Sequence, residues 1–209
     1  MTSRHLLGTA ATAALLLGLT ACGGPAGTPA GKPEGPKATS GTSAASSPSP
    51  AAAKNGTVGA EDSPCPLPVT FATAPGWTAE AVETPDLTFG PFTLVCEIDA
   101  KPAGHVGFLR VWTGDGENPR EALEAYLAED APEREDVETG NVPVGTWDAT
   151  EVSYTVTSEL DDEPKRERAL AFTTPDGLVM LHLGGMDTAE HQAMLPALDL
   201  AERTLRPTA

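Results

Sequence analysis

Alternation of apolar and polar positions dominates the chain beyond residue 62. His105–Trp112 sets Val106, Phe108, Arg110 and Trp112 on one side against Gly107, Leu109 and Val111 on the other, the pattern of a strand in a covered sheet. Val69–Thr73, Phe92–Ile98, Trp147–Thr157, Arg166–Thr174 and Leu178–Leu183 read as strands on the same grounds. Pro175-Asp176-Gly177 is a tight-turn signal, so the last two strands are expected to form a hairpin and the sheet to be mostly antiparallel. Leu160–Lys165 reads as an acidic turn. Between the strands, Asn118-Pro119 has the form of an N-cap followed by proline at the first helical position. Ala122, Leu123, Tyr126 and Leu127 then recur at helical spacing, predicting one helix that ends near Asp130. Asp187-Thr188-Ala189-Glu190 has the spacing of a capping box, followed by an apolar stripe of Met194, Leu195, Leu198, Ala201 and Leu205. Pro196 interrupts that stripe and is expected to kink the helix or split it.

The N-terminal pattern is different. Arg4 precedes an uninterrupted weakly polar and apolar run, Leu6–Leu19, whose fourteen residues are too few to span a bilayer. The run ends in Leu19-Thr20-Ala21-Cys22, which resembles a bacterial lipoprotein signal. The resemblance implies that residues 1–21 are a signal peptide and that Cys22 becomes a lipidated N-terminus carrying diacylglycerol and further acylation such as palmitate. Two acyl chains suffice for stable anchoring where one does not. The protein is therefore expected on the outer face of the cell membrane. Gly23–Asp62 contains no Leu, Ile, Phe, Trp, Tyr or Met, so residues 22–62 are expected to be a disordered Gly/Pro/Ser/Thr/Ala-rich linker reaching into the cell wall. Its Ser and Thr suit either an O-glycosylated stalk or a bare spacer.

Charge separates the two parts. Residues 1–62 hold four basic and three acidic residues, whereas 63–209 hold nine and twenty-seven. A domain that acidic repels phosphate backbones, so no nucleic-acid partner is expected. With Cys22 lipidated, Cys65 and Cys96 are an even pair in an exported chain and are expected to form a disulfide. Closing that loop would stabilise by roughly 3–4 kcal/mol on the chain-entropy model.

The order of elements carries a further resemblance. An opening strand is followed by Pro75-Gly76-Trp77, a strand pair, the helix after Asn118-Pro119, and Val142-Pro143-Val144-Gly145 leading into a long strand. Arg168–Thr174, Leu178–Leu183 and a final helix complete it. This order resembles the PsbP-like fold of actinobacterial lipoproteins of the LpqN type, over roughly residues 66–206. The resemblance implies an α+β domain, residues 63–209, with an antiparallel central sheet of about six strands flanked by helices. It also implies non-enzymatic roles: the photosynthetic member helps retain inorganic ions at a membrane complex, and a eukaryotic relative binds a small GTPase. The disulfide pair and the acidity depart from that pattern, so those partners do not transfer.

Chemistry adds little at this level. Ser153 and Ser158 lack a nucleophile elbow, and both remaining thiols are expected to be oxidised, so no catalytic residue is assigned. His105, His182 and His191 are scattered and read as surface residues rather than ligands. Gly114–Asn118 reads as a turn before the helix, and Trp77, Trp112 and Trp147 as core. Asp161, Asp162 and Glu163 are the candidate cation-binding residues, at a hairpin tip that is otherwise a solvated acidic turn. No cofactor and no metal centre are expected. The reading is a monomeric, non-catalytic, lipid-anchored binding module with an envelope protein as partner, or else a small-molecule or divalent-cation carrier on the same scaffold.

Overall fold

The computed structural model describes residues 55–83, 86–158 and 162–208, so Cys22 and most of the expected linker lie outside the described residues. In chain order these form β1 (Gly56–Val58), β2 (Val69–Thr73), β3 (Thr78–Ala81), β4 (Thr88–Phe89), β5 (Phe92–Asp99) and a 3-10 turn at Lys101–Ala103. β6 (Gly107–Gly114), α1 (Pro119–Asp130), β7 (Glu135–Val144), β8 (Trp147–Thr157) and β9 (Pro164–Thr174) follow. β10 (Gly177–Gly185), α2 (Thr188–Thr204) and β11 (Arg206–Pro207) complete the chain. The Pro175-Asp176 turn closes the expected hairpin, with Thr174 opposite Gly177.

The main sheet has eight strands rather than about six, in the order β3-β5-β6-β10-β9-β8-β7 with β4 also on β5, all antiparallel. The additions are strands that burial does not pattern. β3 and β4 are four and two residues long, and β7 is exposed along nearly its whole length. β7 is an edge protected by acidic residues, Pro143 and a bulge between Glu135 and Glu138. Val69–Thr73, expected in the central sheet, instead joins β1 and β11 in a separate three-stranded sheet. β1 lies within residues assigned above to the linker, so ordered structure begins before residue 63: Asn55 N donates to Thr73 O, and Val58 is buried.

Helix α1 covers one face of the main sheet, over Phe92, Leu94, Trp112, Ala169, Ala171 and Met180. Helix α2 and the small sheet cover the other, over Ile98, Val111, Leu170, Phe172 and Leu181. A β-bulge decides which face β5 serves. The register shifts between Leu94 and Cys96, so Phe92 and Leu94 face α1 while Cys96 and Ile98 face the opposite side. Cys96 thereby reaches Cys65, and the two are disulfide-bonded as expected. Pro196 does not split α2, which runs unbroken from Thr188 to Thr204. The carbonyl deprived of its partner belongs to exposed Gln192, while Met194, Leu198 and Ala201 hold the helix to the sheet.

Candidate functional site

Helix α1 is too short to cover its face of the sheet. It starts where Asn118 Oδ1 accepts from the backbone N–H groups of Arg120 and Glu121, and it stops at Asp130. Arg134 Nη1 donates to the carbonyls of Leu127 and Ala131, satisfying the helix end with a cation. Beyond that end the α1 side of the sheet continues as a polar row: Tyr154 lies opposite Glu167, Glu167 opposite Gly184, and Gly184 opposite Phe108. His182, opposite Arg110, lies two residues before Gly184 on the same face. A recess of about 720 Å³ opens here, with Asp130, Glu167 and His182 deep in it and Val106, Val156 and Met186 among the apolar residues of its wall. Gly184 keeps its floor open. A methyl group at that position would sit 3.5 Å from Glu167 Oε1 and 3.6 Å from His182 Cε1.

The floor is a continuous set of polar contacts. His182 Nε2 lies 3.0 Å from Glu167 Oε2, and Tyr154 Oη donates to the same oxygen at 3.1 Å while lying 3.2 Å from Nε2. On the other side of the imidazole, Nδ1 lies 3.3 Å from Tyr126 Oη. The Tyr126 hydroxyl also engages Asp130, one turn further along α1. Lys165 Nζ is 2.7 Å from Glu167 Oε1. His182 and Glu167 are only 4% and 6% exposed. One ligand atom from each of Asp130, Glu167 and His182 falls within 4.8 Å of the others.

Burial and neighbouring charge act differently on these groups. Burial opposes ionisation of Glu167, but the hydrogen bond and charge of His182, with Lys165, outweigh it and hold the carboxyl down at about 2. Burial pushes Asp130 up, against the pull of His182. Burial also raises both tyrosine hydroxyls, Tyr126 and Tyr154, reinforced by the adjacent carboxylates, so they remain protonated donors. The arrangement suits holding a bound group by fixed donors and acceptors more than moving protons.

The residues singled out from sequence are placed differently. Asp162 and Glu163 are exposed, Asp162 at φ +58° lining the mouth of the recess, and Asp161 lies outside the described residues. The converging ligand atoms instead belong to Asp130, Glu167 and His182, a group the expectation of no metal centre did not include. The expectation of surface histidines is corrected at two positions. His182 and His191 are both 4% exposed, because His182 follows Leu178 and Met180 on one strand face and His191 lies on the buried side of α2. His105 is partly exposed and lies 3.1 Å from Glu190 Oε2. Glu190 is thus turned away from the capping role: Asp187 accepts from the Glu190 N–H, but the Glu190 side chain accepts from Val106 N–H at 3.4 Å. Trp77 and Trp112 are buried, and Trp147 packs on Phe172.

No curated protein matches the chain. Among solved structures, it is similar to the solution structure of the cyanobacterial PsbP (CyanoP) of Synechocystis sp. PCC 6803, at 12% identity and TM-score 0.49, over 67% of this chain and 86% of that one. It is also similar to LpqN of Mycobacterium tuberculosis, described as involved in cell envelope biogenesis, at 12% identity and TM-score 0.42, over 72% and 88% of the two chains. The model of a family described as uncharacterised lipoprotein matches residues 35–205, most of the chain and nearly every element described above, and the chain belongs to that family.

Proposed function

We propose that the protein is a non-catalytic binding lipoprotein of the cell envelope, held on the outer face of the membrane through diacylglycerol on Cys22 and spaced from it by the linker. Its ligand is a small amphipathic molecule taken into the recess beyond α1. The recess itself carries this reading: about 720 Å³ lies within the range of small-molecule sites, and apolar Val106, Val156 and Met186 share its wall with polar and charged residues above an ionised floor. Val106 and Met186, 48% and 42% exposed, give an incoming ligand apolar contact at the mouth. The anchor rests on Leu19–Cys22 and on membership of a lipoprotein family. Binding by a tethered domain would gain from the raised local concentration at the membrane.

The experiment has two arms. N-phenyl-1-naphthylamine, a neutral amphipathic fluorophore, is titrated into the full chain in detergent and into a Val106→Glu/Met186→Glu variant. Saturable fluorescence at one site, weakened several-fold in the variant, is expected; equal binding by both chains would move the ligand elsewhere. Cell fractionation of Cys22→Ala forms the second arm, and firm retention of that chain in the membrane would reject the anchor. A protein partner covering the same mouth is the second reading, favoured by exposed Val106 and Met186. Absence of fluorophore binding together with cross-linking from the mouth to one envelope protein would select it.

A further inference from the structure

We propose that Asp130, Glu167 and His182 form a site for a divalent first-row transition-metal ion on the floor of the recess. The inference narrows the binding reading above and shares its recess, but it rests on the ionisable residues of the floor.

Three observations carry it. The first is convergence: one ligand atom from each residue lies within 4.8 Å of the other two. Donors around a tetrahedral ion with bonds of about 2.0 Å stand about 3.3 Å apart, so closure by at most about 1.5 Å at the widest pair brings the donors to that spacing. The second is the donor set. Two carboxylates supply negative charge, and the imidazole nitrogen favours zinc, iron, nickel or copper over calcium and magnesium, which prefer all-oxygen sites.

The third is support from behind. With Nε2 as ligand, His182 Nδ1–H donates to Tyr126 Oη, now 3.3 Å away, which fixes the ring and its tautomer. Lys165 at 2.7 Å holds Glu167 Oε1 and leaves Oε2 facing His182, where Tyr154 already donates to it. Asp130 is positioned by Tyr126 and by the end of α1. The ion would take the place of the proton between His182 Nε2 and Glu167 Oε2. Three protein ligands leave at least one coordination position, and the recess opens onto it, so water or a donor atom of the recess ligand completes the shell.

The test uses the full chain in detergent, stripped with EDTA and titrated with zinc chloride by calorimetry, and with cobalt(II) by visible absorption. One equivalent of zinc and a cobalt spectrum of nitrogen and oxygen ligation are expected. His182→Gln and Asp130→Asn should each weaken zinc binding at least tenfold, while Glu124→Gln, an exposed position on α1 outside the recess, leaves it unchanged. Asp130 is half-buried at a helix end, so Asp130→Asn remains informative even where a substitution of His182 disturbs folding. Failure of the wild-type chain to bind zinc, or equal binding by folded Asp130→Asn, overturns the site. Fluorophore binding without zinc binding rejects the metal and leaves the recess reading intact. Zinc binding without fluorophore binding does the reverse.

Discussion

Glu202 and His191 lie on the sheet-facing side of α2, and their burial gives the protein two opposed pH dependences. Burial pushes the Glu202 carboxyl up to about 7 from an ordinary 4.5, with Glu151 and Asp199 adding to the rise and Arg168 and Arg203 opposing it. The folded state therefore binds a proton that the unfolded state has released, and this contribution is full below pH 4.5 and lost as pH rises through about 7. The His191 ring is held down at about 4 from 6.5, chiefly by burial, so its contribution is present above pH 6.5 and lost as pH falls through about 4. Glu202→Gln should remove the first of these two contributions. It should raise stability at about pH 8 by on the order of 3 kcal/mol, with no gain at about pH 4. Urea midpoints at the two pH values check this, and an equal offset at both would show that charge at Glu202 is not the cause. Helical spacing sets both on the apolar stripe of α2, His191 three residues before Met194 and Glu202 four after Leu198, so their side of the helix is a local signal that their polar side chains obscure.

Among the elements, α1 links stability to the site most directly, because its C-terminal turns set Tyr126 behind His182 and deliver Asp130 to the recess. Asn118→Ala removes the acceptor of two backbone N–H groups and should cost about 1 kcal/mol in urea unfolding. Asn118→Asp, which keeps an acceptor, should recover most of it. Fluorophore affinity should barely change, since the cap lies at the far end of the helix from Asp130; a large loss would mean that the helix shifts as a unit. This helix was legible because Asn-Pro and the spacing of Leu123, Tyr126 and Leu127 are local signals. β7 was not legible, because an exposed edge strand has no buried face and so no alternation. The polar row of the recess is an intermediate case. Leu178, Met180 and His182 share a parity, as do Ala171, Ala169 and Glu167, and Val152 and Tyr154. Each strand shows a polar residue extending an apolar face, but their meeting depends on register.

At the scale of the molecule, the disulfide and the recess occupy opposite sides of the main sheet. Cys65 and Cys96 belong to the core under α2 and the small sheet, whereas Tyr126, Tyr154 and the recess floor lie on the α1 side. Cys65→Ser/Cys96→Ser should therefore lower unfolding stability by about 2–4 kcal/mol and leave fluorophore binding within about twofold, measured below the new melting temperature. Loss of binding in a still-folded variant would show that the two faces are coupled. By itself the sequence determined what short-range chemistry encodes: the signal-like run ending at Cys22, the low-complexity segment, the cap of α1, the Pro175-Asp176 hairpin and the cysteine pair. Each depends on neighbours within a few residues or on composition. Tertiary structure alone decided the strand count, the bulge that turns Cys96 away from Leu94, and the meeting of Asp130, Glu167 and His182. Those depend on strand register and on where a helix ends over a sheet, which are set by the sum of many weak packing contacts between residues far apart in the chain.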